Sequence, residues 1–527
     1  MNSMTYKFNS LRSDILILAI ILISGFKFAS GIEGALDIGL YDESNYLYSG
    51  VKLTTLGFPE AQNAPLYAAW YYVISLFEPN RIKLYYLNYK LLTLLLPLFI
   101  YILCRRNRVS IHVALIISLF FLISPLNGYN WPKVSHFALI MVLTTFIIIG
   151  STCSLFWASI FAPISALLVS YIRPEYFLTY VLSLLFFAFA ITREFKRMQR
   201  LHLVCLIAEV LISILLLSIL GLPLSGNRSN VAFGQHFSFH WVSWTGSQLN
   251  PWTNWQEIMS QNFGSAHTIL EAFVNNPSVF LKHITYNLWT LVKDSINWAF
   301  PDIFAADQLS KRLGALYFIG ICIAYFSNIR RNILKYRRLL ILVGLFLLPG
   351  LVSAVFIHPR SHYLLLLWVL TGVLMATLID TPAIEEKQMT QKQFIVLGLL
   401  IIALTPYFAN KAAANRPNLE TIRFIESLRI EEPVTVLEAE GGYHIYLGDN
   451  FRRVAEYDKN TGFNHFLSSR NINMIVLSNL LQKDTRFKDD AEWQHFLIEY
   501  SNLGYRDINI PNTDRKLMVR ADLLRGK

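Results

Sequence analysis

The sequence predicts a polytopic α-helical membrane protein with a C-terminal α/β domain outside the cytoplasm. Three observations predict it. Apolar residues make up 54% of the 527 residues and charged residues only 15%, too apolar for one water-soluble core. The apolar residues gather in long unbroken runs such as Leu206–Leu222 and Leu339–Leu351. Beyond residue 409 the pattern changes to short strands and amphipathic helices.

The runs read as eleven spans, at 14–32, 84–104, 111–126, 134–150, 154–172, 175–191, 202–222, 313–327, 339–357, 361–380 and 393–409. An odd number puts the termini on opposite sides. The segments assigned to the cytoplasm carry sixteen Lys and Arg, among them Arg105, Arg106, Arg330, Arg331, Arg337 and Arg338. The outer segments apart from the long loop and the tail carry six. This bias places the N-terminus in the cytoplasm and residues 410–527 outside. The first span, which follows Lys7 and Arg12, reads as uncleaved. The formal charge of +11 sits mainly beside the apolar runs, so nucleic acid is not an expected partner. The four cysteines lie in or at the ends of apolar runs and imply no disulfide framework.

The membrane domain is thus 1–409, with outer loops at 33–83 and 223–312. In the first loop Ala64–Phe77 is apolar but short, and counting it as a span would reverse the charge bias, so it reads as an interfacial helix. The second loop holds six of the eleven tryptophans, including Trp241 and Trp244, whose flat faces suit an interfacial belt or stacking on a sugar. In the tail, Pro433–Glu438 and Ile472–Ser478 read as strands, Leu419–Leu428 and Ala491–Leu503 as helices.

The most informative stretch follows the first span and contains Asp37, Asp42, Glu43 and Tyr46. Carboxylates beside a membrane surface are costly and need a reason. One reason is structural: Asp42 capping a helix that begins at Glu43. The other is chemical. The stretch resembles the Asp-Glu motif in the first outer loop of GT-C glycosyltransferases, the superfamily of protein O-mannosyltransferases and lipid A aminoarabinose transferases. The resemblance continues in Pro65-Leu66-Tyr67, in Lys90 at the outer start of the second span, and in Arg360-Ser-His362-Tyr363-Leu364, where two residues separate Arg360 from Tyr363.

The resemblance implies an inverting transferase whose donor is a polyprenyl-phosphate-linked sugar and whose acceptor is a glycan, lipid or protein. It implies a catalytic carboxylate, Asp42 with Glu43 beside it, accepting the acceptor's proton. Lys90, Lys133, Arg173, Arg360 and His362 are the candidate contacts to the donor phosphate; as outer-end cations the basic ones also suit snorkelling. Asp37, Tyr46, Trp241 and Trp244 are the candidate contacts to sugar or acceptor. Relatives carry a second acid after the third span, in some linked to a metal. Here Asn127–His136 has no carboxylate, so a divalent metal is not required and a metal-dependent mechanism is disfavoured. His236 and His240 have the i, i+4 spacing of a helical metal pair without a third ligand, and read as ordinary loop histidines. Arg173-Pro-Glu175 reads equally as a local ion pair. Two other classes stay open: an O-antigen polymerase or ligase, and a transporter, whose paired broken helices and mid-membrane charges are not found. The expected location is the bacterial inner membrane, with surrounding lipid as a partner.

Overall fold

A computed structural model describes residues 2–128, 132–150, 155–194, 200–300, 312, 314–316, 319–320, 323, 325–379, 391–407, 415–454, 462–484, 486–487 and 489–524. The chain is mostly helical. Five helices are long and apolar enough to cross a membrane: Arg12–Ala35, Arg81–Arg106, Leu203–Leu220, Arg337–Phe356 and Ser361–Ile379. Shorter apolar helices at Ile111–Ile123, Val134–Ile149, Trp157–Ser170, Tyr176–Phe189 and Ile395–Leu404 coincide with five more of the expected spans. The expected span 313–327 lies largely outside the described residues. In Leu203–Leu220 only 11% of the apolar window is buried. Val204, Leu211 and Ile219 stand 60%, 60% and 64% exposed. An apolar surface of this kind is compatible with lipid.

The chain divides into two units. The first comprises residues 1–30, 58–69 and 89–407. Within it Asp14 accepts from Tyr101 Oη at 2.7 Å and from Arg105 Nε at 2.8 Å, so a charge next to the first apolar run is paired. Lys27 donates to the carbonyls of Ile402 and Ala403 at 2.8 and 2.9 Å, tying the first helix to the end of Gln391–Leu404. The long second loop folds into helices Arg228–Thr245, Trp255–Phe263, Ile269–Asn275 and Pro277–Ala299. Phe233, Phe237, Ile258, Phe263, Ala272 and Phe280 form their common core. Thr268 and Asn276 cap the last two of these helices, accepting from Glu271 N and Val279 N.

The second unit comprises residues 31–57, 70–88 and 408–527, so part of the segment 33–83 belongs with the tail. Its five-stranded sheet runs β2-β1-β3-β5-β4, with β1 Val434–Leu437, β2 Phe451–Arg453, β3 Met474–Leu477, β4 Tyr505–Asn509 and β5 Lys516–Arg520. β2, β1 and β3 are parallel, and β5 and β4 continue antiparallel. One face carries the core of Phe463, Phe466, Phe487, Trp493 and Phe496. Asp490 caps Ala491–Glu499 by accepting from the Glu492 and Trp493 amides, which fixes Trp493 at the centre of that core. The two expected strands and two expected helices are present within a few residues of their predicted ends.

Candidate functional site

The Asp42-Glu43 stretch opens a helix, Asp42–Val51. The residue before it, Tyr41, makes no side-chain cap, and Asp42 is itself the first helical residue. Asp42 is half-buried, and among the described residues its carboxylate makes no hydrogen bond or ion pair. The capping role open to it in the sequence is therefore not the one it has here. Glu43 is the opposite case. It is fully buried, and its Oε1 accepts from Tyr71 Oη and from Asn88 Nδ2, the latter at 3.0 Å. Asn88 Nδ2 also donates to Tyr71 Oη at 2.9 Å, and Trp70 Nε1 donates to Asn88 Oδ1 at 2.8 Å. A buried carboxylate in such a network is held in one place, because each lost partner would leave a desolvated charge.

The tail holds this helix from the other side. Ser44 Oγ hydrogen-bonds Tyr446 Oη at 2.6 Å and donates to the Gly39 carbonyl. Arg81 bridges the Asp449 carboxylate and the Ile445 carbonyl, both at 2.7 Å, and Lys52 pairs with the same Asp449. Gly442 lies directly against the Leu40 backbone, where a Cβ would overlap the carbonyl oxygen. Asp37 Oδ1 accepts from the Ile38 and Leu419 amides at 2.9 Å and its Oδ2 from the Asn418 amide at 3.0 Å, so it caps the helix Pro417–Ser427. Burial raises the Asp37 carboxyl above its ordinary range, and these amides and Arg515 oppose the rise. Tyr46 is buried.

The candidate phosphate contacts lie in the first unit and fall into two groups. Lys133 is fully buried; its Nζ donates to the Asn127 carbonyl, lies 3.2 Å from His136 Nε2 and sits 4.9 Å above the Tyr89 ring. Lys90 is half-buried. In the second group Arg173 pairs with Glu175 at 2.7 Å and covers the Tyr363 ring at 5.1 Å. His362 is buried within the field of Arg173, Arg360 and Arg228. Arg360 donates to His236 Nε2. Trp244 is half-buried with Lys282 4.4 Å above its ring, and Trp241 packs on the phenylalanine core.

The structure adds a feature the sequence did not disclose. His236 and His240 meet His283 and His358: the His236 and His358 rings stack at 4.9 Å, His240 lies 5.2 Å from His358, and His240 Nδ1 is 2.9 Å from His283 Nδ1. No local signal marks His283 and His358 as partners, since they come from separate helices and loops. Among the described residues no three His, Cys, Asp or Glu are set to hold a metal.

Burial pushes His240 down to about 3 and His283 and His358 down to about 4; neighbouring rings add to the fall at His240, Arg360 adds to it at His358, and the Phe356 and Ile357 carbonyls oppose it at His283. In the unfolded chain each takes its proton near 6.5. The unfolded state therefore binds more protons below that value, and stability present above it is lost as the pH falls through it. The Tm of the wild-type protein in neutral detergent is expected to fall between about pH 7 and about pH 5.5, and the His240→Gln, His283→Gln double variant to show a shallower fall. Equal slopes for the two proteins would contradict the burial of neutral histidines.

Compared with known proteins, the chain matches no family model and no curated protein.

Proposed function

We propose that the protein is an inverting glycosyltransferase of the outer face of a bacterial inner membrane, with an eleven-span membrane domain, a cytoplasmic N-terminus and an extracytoplasmic tail. The donor is a polyprenyl-phosphate-linked sugar, and the acceptor is a hydroxyl of a glycan, lipid or protein. In the reaction the acceptor oxygen attacks the anomeric carbon as the carbon–oxygen bond to phosphate breaks. The hydroxyl proton passes to Asp42, and polyprenyl phosphate leaves with the bonding pair, its charge met by Lys90 and Arg360.

The observation that carries this reading is the contrast between the two adjacent acids. Glu43 is locked by Tyr71 and Asn88, whereas Asp42 is half-buried with no side-chain partner among the described residues. A base needs an unengaged carboxylate on a rigid support, and this pair supplies both. The order of the motif segments along the chain supports the same class.

The test is transfer from a polyprenyl-phosphate sugar by the purified full-length protein in lipid vesicles, together with donor binding. Lys90→Ala and Arg360→Ala are each expected to weaken donor binding by roughly ten- to a hundredfold, the size of a charge-assisted contact of about 1.5–3 kcal/mol. Unchanged donor affinity in both variants would remove these residues from the site. Failure of the wild-type protein to transfer any polyprenyl-phosphate sugar would count against the class.

A further inference from the structure

Between Asp307 and Asp380 the chain has no acidic residue, and five of its basic residues there, Arg330, Arg331, Lys335, Arg337 and Arg338, fall close together. All five are exposed. Among the described residues none of them is paired with a carboxylate; Arg331 donates to Asn328 Oδ1 at 3.1 Å, and Lys335 lies 4.8 Å above the Tyr336 ring. The first three belong to the helix Phe326–Lys335, and the last two open the helix Arg337–Phe356 after one intervening residue, the buried Tyr336. The short helix is also fixed to a second neighbour. Buried Asn332 donates from Nδ2 to the Leu378 carbonyl at 2.8 Å, one of those that the last turn of Ser361–Ile379 leaves without a helical partner. Both neighbours are long and apolar enough to cross a membrane, so the short helix stands at the end of two crossing helices, at the height where they meet the headgroups.

The face it turns outward is mixed. At 3.6 residues per turn Phe326, Arg330, Ile333 and Leu334 share one side, Arg331 and Lys335 flank it, and Asn332 lies on the opposite side against its neighbour. Phe326, Ile333 and Leu334 are 65%, 42% and 76% exposed. Large apolar side chains and unpaired cations therefore alternate on one open surface. An acidic protein segment would match the cations and leave the apolar side chains unmatched. A leaflet containing anionic phospholipid matches both, because Phe, Ile and Leu enter the acyl boundary while Arg and Lys extend their stems along it and reach the phosphates.

We propose that Phe326–Lys335, with Arg337 and Arg338, is a docking surface for the headgroups of anionic phospholipid in the leaflet at that end of the two helices. Phe326, Ile333 and Leu334 set its depth, and Arg330, Arg331, Lys335, Arg337 and Arg338 select lipids that carry net negative charge. Tied to Leu378 and continuous with Arg337–Phe356, the helix holds those five cations at one level as the lipids exchange around them. On the proposed topology this is the cytoplasmic leaflet. The inference does not rest on the transferase reading, and the donor phosphate contacts are other residues.

The test is photo-crosslinking of the full-length protein in phosphatidylcholine vesicles. The vesicles contain a trace of phosphatidylglycerol or, separately, of phosphatidylcholine with a diazirine beside the glycerol, and the labelled residues are located by mass spectrometry. Labelling of residues 326–338 is expected to be at least about fivefold stronger with the phosphatidylglycerol probe, the factor that a single cation near an anionic surface contributes. Raising the salt from about 0.1 M to about 1 M is expected to shrink that preference, as the screening length falls from about 10 Å to about 3 Å. The triple variant Arg330→Gln, Arg331→Gln, Lys335→Gln is expected to bring the two probes close to equal. The charge-preserving variant Arg330→Lys, Arg331→Lys is expected to keep the preference. Equal labelling of 326–338 by the two probes in the wild type, as a surface for an acidic protein would give, overturns the proposal. So does a preference confined to other segments, or one that survives unchanged in the triple variant. The wild-type comparison decides the point even where a variant fails to fold. No transfer is read in it, so its failure and that of the transferase reading are distinguishable.

Discussion

Asp42→Asn is expected to lower the transfer rate by about 10²–10⁴-fold while leaving the protein folded and its donor affinity unchanged. The substitution keeps the shape of the side chain and removes only its capacity to accept a proton. Were Asp42 a helix cap, Asn would serve about as well and the change would be nearly silent; no side-chain cap bond is made at the start of Asp42–Val51. Glu43→Gln is the internal comparison. A glutamine retains an oxygen for Tyr71 and Asn88, so its effect is expected to be far smaller. Near-normal turnover in Asp42→Asn with loss in Glu43→Gln would move the base by one residue. Full activity in both would show that neither acid takes the proton and that the mechanism is wrong.

What the sequence disclosed is local. An apolar run of some twenty residues determines its own helix, because within hydrocarbon each backbone group is satisfied inside the run. That is why ten of the eleven expected spans fall on apolar helices, five of them of crossing length. The same holds for β1 and β3, whose apolar residues are continuous. β2, with three residues, and β4 and β5, with five each, are too short and too polar to be read alone, and their pairing comes from the sheet they complete.

The site was legible as residue types and not as an arrangement. Asp42 and Glu43 stand out by composition, yet nothing in the sequence separates their roles; that separation comes from Tyr71 and Asn88, which lie 28 and 45 residues from Glu43. Asp37 reads from the sequence as a contact to sugar or acceptor, and its amide partners at Asn418 and Leu419 lie 381 and 382 residues away. The histidine group is likewise built from contacts 43 and more residues apart. Long-range placement of polar groups is decided by the packing of apolar elements around them, and a pattern read along the chain carries no trace of it.

The union of residues 31–57 and 70–88 with the tail gives the second large effect. Gly442 follows β1 and precedes the short helix Tyr443–Leu447, with φ −145° and ψ −1°, outside the left-handed region that favours glycine. The constraint there is space. A Cβ would overlap the Leu40 carbonyl oxygen and lie 3.0 Å from both the carbonyl carbon and Cα of Leu40, and backbone does not swing aside as a side chain does. Gly442→Ala must therefore displace the segment that leads into Asp42–Val51, and a shift of about 1 Å at a reacting group costs on the order of 10²-fold in rate. The expected result is a fall in kcat of about that size with donor affinity and Tm close to wild type. Gly34→Ala serves as the comparison, since a Cβ there meets nothing within 4 Å, and it is expected to leave kcat unchanged. Wild-type kcat in Gly442→Ala would show that the tail does not set the position of the Asp42 helix. A fall in Tm matching the fall in kcat would assign the glycine to folding rather than to alignment of the base.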